Sequence, residues 1–284
     1  MRKLVLLGVF IPLLVHVQAQ ERLHLDLFGG FSNYQGDLQD KFFTTSQAKA
    51  ALGLGIKYDL TSHLSVRSNF VYATLSAADK FNKQADLRAR NLSFQTRITE
   101  LNVLLDYTFL DLEYHKLSPY VFGGIAGFHY NPYSFDTLGN KIYLKPLSTE
   151  GEGFTQYPDR KPYSLTQWSI PFGGGIRWRF TDNITLSYEI GLRKTFTDYL
   201  DDVSGKYIDK AVLSTLKGPV AVEMAYRGAE LKGGQPYPAE GTIRGGSKFK
   251  DWYYFSGLTV SIGIGGNKRF GKGRGSVSCP PRVM

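Results

Sequence analysis

From Gln167 to Phe180 the chain reads QWSIPFGGGIRWRF, with apolar residues recurring on every second position. Trp168, Ile170, Phe172, Ile176, Trp178 and Phe180 share one face, while Gln167, Ser169, Gly173, Gly175, Arg177 and Arg179 share the other. Period two marks a strand, because successive side chains point to opposite faces, but it does not say which face meets a core. Recurrence decides the matter. About eight segments carry this alternation, each ten or so residues long, with turn residues between them. Strands of that length exceed those of most globular sheets, and a series of them with one apolar face is the pattern of a transmembrane barrel. The expected fold is all-β, an eight-stranded antiparallel transmembrane β-barrel with long extracellular loops and short periplasmic turns.

The first residues agree with export. Arg2 and Lys3 precede an apolar run from Leu4 to Val17, and Val17-Gln18-Ala19 forms a small-residue cleavage site before Gln20. The run contains Pro12 and is short for a membrane span, so residues 1–19 are read as a signal peptide. Residues 20–266 are assigned to the barrel and 267–284 to a basic periplasmic tail. The expected location is the outer membrane, with both termini periplasmic. The 284-residue chain has a net charge of +9, yet no nucleic-acid fold motif accompanies that charge. Cys279 is the single cysteine, which excludes an internal disulfide.

Alternation assigns faces strand by strand. Leu23, Leu25 and Leu27 point outward on the first; Leu52, Leu54, Ile56 and Tyr58 on the second; Leu64, Val66, Phe70 and Tyr72 on the third. On the fourth the parity slips between Phe94 and Ile98, which are even, and Leu101 to Phe109, which are odd; a bulge near Thr99-Glu100 would restore the phase. On the fifth, Tyr120, Phe122, Ala126, Phe128 and Tyr130 are assigned outward. Ile184 to Leu192 and Trp252 to Ile264 complete the seventh and eighth, with Tyr254 on the lipid side. Links after strands two, four and six are short and the others long, so the long ones are read as extracellular. The longest, Asn131 to Thr166 and Tyr199 to Asp251, are expected to be surface-exposed.

The inward face then collects Asp26, Arg67, Arg97, Asp106, Arg177, Arg179, Glu189 and Arg193. An eight-stranded barrel has a lumen that its own side chains fill, so these charges are expected to form plugging ion pairs rather than a pore. His129, followed by Ser134 and Asp136, is the one arrangement near the outer rim that suggests a hydrolase, and sequence proximity is weak support for a triad. No His or Cys spacing suggests a metal, and no cofactor motif is present; the Gly173-Gly174-Gly175 run lacks the residues of a phosphate loop and reads as close packing or a bend. The tail GNKRFGKGRGSVSCPPRVM offers Lys268, Arg269, Phe270, Lys272, Arg274, Cys279 and Pro280 either to anionic headgroups or to a periplasmic partner. An unpaired exported cysteine also allows an intermolecular disulfide through Cys279.

Several strings carry a resemblance when taken together. They are Tyr34-Gln35-Gly36-Asp37-Leu38, Arg90-Asn91-Leu92-Ser93-Phe94, Ser118-Pro119-Tyr120-Val121-Phe122-Gly123-Gly124, Leu147-Ser148-Thr149-Glu150-Gly151-Glu152-Gly153, Ser169-Ile170-Pro171-Phe172-Gly173 and Cys279-Pro280. In this order the chain resembles the PorG-like outer-membrane barrels of the type IX (Por) secretion system of Bacteroidota. The resemblance implies a non-enzymatic part that anchors a periplasmic ring, made of a PorK-like lipoprotein and a PorN-like protein, to the outer membrane. It places Cys279-Pro280 and the periplasmic turns toward the ring, and Thr149, Glu150, Gly151, Glu152 and Gly153 on an outward loop that meets other surface components. The alternative is a surface adhesion or receptor barrel working through its long loops.

Overall fold

The computed structural model describes residues 22–39, 41, 44–248 and 250–264. Eight long strands form the wall: β1 (Leu23–Gln35), β2 (Lys49–Asp59), β3 (Leu64–Ala78), β4 (Ser93–Thr108), β5 (Leu117–His129), β8 (Thr166–Arg179), β9 (Ile184–Thr195) and β10 (Trp252–Gly263). All neighbours are antiparallel, and β1 pairs with β10 while β3 pairs with β4, so the sheet closes. The short strands β6 (Tyr133–Phe135) and β7 (Lys141–Tyr143) make a hairpin that joins the edge of β4 through Gln95 and Tyr133. Helices α1 (Ala85–Arg90), α2 (Lys210–Lys217) and α3 (Pro219–Ala225) lie in the long loops.

Two of the three short turns use one chemistry. The Thr61 hydroxyl accepts from the amides of His63 and Leu64, and the Thr181 hydroxyl accepts from those of Asn183 and Ile184. Such side-chain closure satisfies backbone donors that the reversing chain leaves unpaired.

The exterior is apolar around the circumference, where Leu52, Leu54, Ile56, Phe70, Leu101, Val103, Ile125, Ile170, Ile176, Ile190 and Leu258 all stand exposed. A soluble wall would bury such a belt, and lipid is the environment in which it is stable. Aromatic side chains border it: Tyr107, Phe109, Trp178 and Phe180 toward the short turns, Phe31, Tyr72 and Trp168 toward the long loops.

Three expected faces are corrected. Tyr120, Phe122, Ala126, Phe128 and Tyr130 point inward and are buried, and Val121 and Ile125 are the lipid-facing residues of β5. The reason lies on the neighbouring strands. Gly173, Gly175 and Gly191 carry no side chain on the inner face, and a Cβ on them would sit 2.8–3.0 Å from the rings of Phe122 and Tyr120. The rings occupy that space. On β4 there is no bulge near Thr99-Glu100, since the register with β3 runs unbroken from Leu64↔Tyr107 to Ala78↔Ser93. Phe94 and Ile98 instead face inward, where the loops close over the barrel. Tyr254 is buried rather than exposed to lipid.

The long loops are not simply exposed. Residues from them pack with inward residues of the upper wall into one apolar core that includes Leu38, Leu75, Phe94, Ile98, Phe128, Tyr130, Leu144, Tyr163, Leu200, Val203 and Met224. A satellite core joins α2 and α3 through Leu213, Ala221 and Ala225 to Phe154 and Ile208. Asp209 caps α2 by accepting from the amide of Val212 at 2.9 Å. The result is a folded cap over one mouth of the barrel.

Candidate functional site: a plugged lumen beneath a carboxylate-rich cap

Inside the wall, cations and carboxylates from opposite strands interlock. Arg67 on β3 donates to Asp106 on β4 at 3.0 Å and to Glu189 on β9 at 2.8 Å. Arg177 on β8 donates to the other oxygen of Asp106 and, at 2.7 Å, to Thr108. The Tyr120 hydroxyl donates to Glu189 at 2.6 Å. One layer up, Arg193 donates to Glu100 at 3.3 Å, while Tyr253 and Asn102 donate to the same carboxylate at 2.7 Å each. Each guanidinium also lies over a ring: Arg67 over Phe122 at 4.6 Å, Arg177 over Tyr120 at 4.0 Å and Arg193 over Phe255 at 4.2 Å. A cavity between these layers, lined by Phe28, Arg67, Asn69, Asn102, Glu189 and Arg193 among others, is about 10 Å³, room for one water at most.

The residues expected in the lumen separate into groups. Arg67, Arg177, Glu189 and Arg193 join this network together with Asp106. Asp26 is buried but makes no ion pair among the described residues. Arg179 sits at the short-turn rim, 3.5 Å from the exposed Asp182, outside the network. Arg97 is on the opposite face altogether, exposed on the outside of β4. Glu100, at the position expected to bulge, accepts from Arg193 within the regular strand. Lys57, buried 3.6 Å from Asp59, is a further inner cation; the inward positions before it on β2 are Ala51, Gly53 and Gly55, so no polar stripe in the sequence points to it.

The Thr149–Gly153 loop, expected at the surface, is folded into the cap. Glu150 is buried against Arg244 at 2.9 Å and accepts from the amides of Ser204 and Gly205 at 2.9 and 2.8 Å. Thr149 donates to Asp202 at 2.6 Å, and Glu152 accepts from the amide of Glu150 at 3.2 Å. Gly151 and Gly153 both have φ of +82°, a region where a side chain brings strain, which accounts for glycine at these two turns of the motif. The string is therefore a structural joint between two distant loops, and it has little surface to offer a partner.

Beside this joint the acids crowd. The Tyr34 hydroxyl lies 2.6 Å from Asp201 and 2.8 Å from Asp251. It has one proton to donate, so both contacts are hydrogen bonds only when one of these carboxyls holds a proton of its own. Burial pushes Asp201 and Asp251 well above the usual carboxylate range, and the neighbouring acids Asp37 and Asp201 respectively push them further. Burial also raises Asp202 to about 6, Asp198 to about 7 and Glu152 to about 8. Among the described residues no three His, Cys, Asp or Glu side chains are arranged to hold a metal ion.

The hydrolase arrangement does not assemble. His129 is exposed and its ring meets the Thr166 hydroxyl at 3.1 Å, whereas Ser134 is buried against Ser93 and Arg227. Asp136 closes the β6–β7 turn by accepting from Leu138 and Asn140. The tail residues Lys268, Arg269, Phe270, Lys272, Arg274, Cys279 and Pro280, and the signal segment 1–19, lie outside the described residues.

A closed eight-stranded wall, apolar outside and filled by its own ion pairs inside, defines an outer-membrane-type β-barrel. Within that class, the chain belongs to the family described as "Domain of unknown function (DUF6089)", which matches residues 2–217. No significant match is found among curated proteins. Solved structures of similar fold include Neisserial surface protein A, with a TM-score of 0.41 and 7% identity over 85% of this chain and 96% of that one. Ail, the attachment invasion locus protein of Yersinia pestis, gives a TM-score of 0.39 and 9% identity over 86% of this chain and 98% of that one. The outer membrane protein OprG from Pseudomonas aeruginosa gives 0.39 and 10% over 87% and 99%.

Proposed function

We propose that this barrel is a non-enzymatic, outer-membrane component of a type IX protein secretion machinery, holding the periplasmic ring of that exporter to the membrane. The observation that carries the reading is a plugged wall whose two ends leave from the same rim. The amide of Ile264, after β10, donates to Leu23 at the start of β1 at 2.7 Å, at the short-turn end and opposite the folded cap. A filled lumen suits an anchor better than a conduit. On this reading the rim shared by Leu23 and Ile264 faces the periplasm and the cap faces outside, and the partner would dock at that rim. The ordered resemblance to PorG-like barrels supplies the identity of that partner, a PorK-like lipoprotein with a PorN-like protein, and the tail with Cys279 is the proposed contact.

The test is chemical crosslinking and pull-down from envelopes of cells carrying the full chain or a chain ending at Gly266. The expected result is a heat-modifiable barrel in both cases, with ring proteins copurifying only with the full chain. Equal recovery of the ring with both chains disproves the tail contact, and a ring absent from both disproves the anchor. Cys279→Ser, compared on non-reducing gels, reads whether any of that contact is covalent.

A second reading, a surface receptor acting through the cap, is favoured by the exposed apolar residues Leu138 and Ile243, which are 85% and 74% exposed. Protease removal of the cap should then abolish function while leaving secretion intact.

A further inference from the structure

Arg97, with no place in the lumen network, lies on the lipid side of the wall, at a particular height. Along β4 the outward residues are Leu101, Thr99, Arg97 and Gln95 in order toward the long loops. Thr99 is opposite Tyr72, a member of the aromatic border, and Arg97 is opposite Thr74, one outward row above it. Aromatic borders mark headgroup level. Arg97 thus projects where lipid headgroups begin, and among the described residues it has no carboxylate partner.

The wall continues above it through the hairpin. Tyr133 pairs with Gln95 and donates its hydroxyl to the Gln95 side chain at 3.1 Å, so the outer face of β6–β7 extends the outer face of β4. On that face Lys141 holds its ammonium 3.7 Å from the ring centre of Tyr133 and 4.7 Å from that of Tyr143. Phe135 and Tyr143 are exposed beside it. The carboxylate of the hairpin, Asp136, is turned into its own turn, where three donors from Leu138 and Asn140 occupy it. The surface continues the lipid-facing belt upward: Arg97 stands one outward row above the aromatic border, and Lys141, opposite Phe135, stands two rows above Arg97 with aromatic faces beside it, neither having a carboxylate partner among the described residues.

We propose that the outer face of β4 and the β6–β7 hairpin binds anionic, phosphate-bearing lipid headgroups in the leaflet on the long-loop side. Arg97 would take the phosphate with its fork of donors. Lys141, held between two rings, would take a second oxygen or a neighbouring headgroup. Tyr143 and Phe135 would flank the headgroup beside Lys141, above the aromatic border of the wall.

The full chain is folded into nanodiscs of equimolar phosphatidylglycerol and phosphatidylcholine, and lipids retained on the released barrel are read by native mass spectrometry. The wild type should retain phosphatidylglycerol over phosphatidylcholine. Arg97→Ala and Lys141→Ala should each reduce that preference about 5-fold, from a cation near a membrane surface. Arg97→Lys with Lys141→Arg, which keeps the charges, should restore most of it, and Lys116→Ala, at the opposite rim, should leave it unchanged. Heat-modifiability confirms folding of each variant. An unchanged preference in the Arg97→Ala, Lys141→Ala double variant, or an equal loss with Lys116→Ala, would overturn the proposal.

Discussion

The lumen and the cap are both buried and both rich in charge, but they solve the problem of buried charge in opposite ways. In the lumen Glu100, Asp106 and Glu189 face Arg67, Arg177 and Arg193, and each carboxylate touches a guanidinium. In the cap seven buried carboxylates, Asp79, Glu150, Glu152, Asp198, Asp201, Asp202 and Asp251, share the two buried guanidiniums Arg90 and Arg244. Arg90 is committed to Asp79, and Arg244 to Glu150. Matched charge survives burial as ion pairs. Unmatched acids survive by keeping protons and by accepting hydroxyl and amide donors. The three lumen carboxylates are thus held by cations, and most of the cap acids are held by protons.

The largest expected loss falls on Asp106, the carboxylate that two lumen guanidiniums share. Asp106→Ala leaves Arg67 and Arg177 without the acid between them, and an uncompensated buried charge costs about 3–5 kcal/mol. Denaturant unfolding of the barrel in lipid should show a loss of that order, with the whole wall affected. An unaltered midpoint means that water reaches these groups freely.

Glu150→Ala strands Arg244 in the same way, but in the cap. The expected loss is smaller for the barrel and concentrated in the loops: segments 130–165 and 196–251 become protease-sensitive, while heat-modifiability of the wall persists. If the wall unfolds with the cap, the two regions are one cooperative unit and the contrast drawn between them fails.

Next is pH. The cap acids bind protons more tightly folded than unfolded, so their contribution is complete below about pH 4, the ordinary carboxylate range. It is lost as pH rises through about 6 for Asp202, about 7 for Asp198 and about 8 for Glu152. Hydrogen exchange of the cap should therefore quicken, after correction for the intrinsic rate, from pH 5 to pH 9. Exchange in the wall should not. Asp198→Asn removes one of these titrations and should flatten the response. An identical pH response of cap and wall contradicts the account.

The smallest expected effect is at His129. Its ring is exposed and has one hydroxyl contact, so His129→Ala should change stability by less than about 0.5 kcal/mol. Any ester hydrolysis by the purified barrel that disappears with this change would reinstate the hydrolase reading.

Much of the wall was legible in the chain, because a lipid-facing strand announces itself by alternation that local sequence alone carries. Trp168, Ile170 and Trp178 are outward and Arg177 inward, as the period requires. Turn residues at Thr61 and Thr181 and the inequality of link lengths were equally local. Where alternation misled, the deciding partner was remote. Tyr120 and Phe122 look like lipid-facing aromatics until Gly173, Gly175 and Gly191 are seen to leave space for them inside. Phe94 and Ile98 look like a slipped phase until the loops are seen to cover them.

The candidate site shows the same division more sharply. That Glu150 is a structural acid depends on Arg244, 94 residues further on, and that Tyr34 bridges Asp201 and Asp251 depends on separations of 167 and 217 residues. The eight wall strands and the lipid-facing side of most of them follow from local pattern, since lipid on one face and lumen on the other impose a period of two on each strand independently. Chain closure settles which charges are matched, which acids must keep their protons, and that Arg97 stands on the outer face of the wall rather than in the lumen. Those properties belong to pairs of residues that chain closure alone brings within a few ångströms.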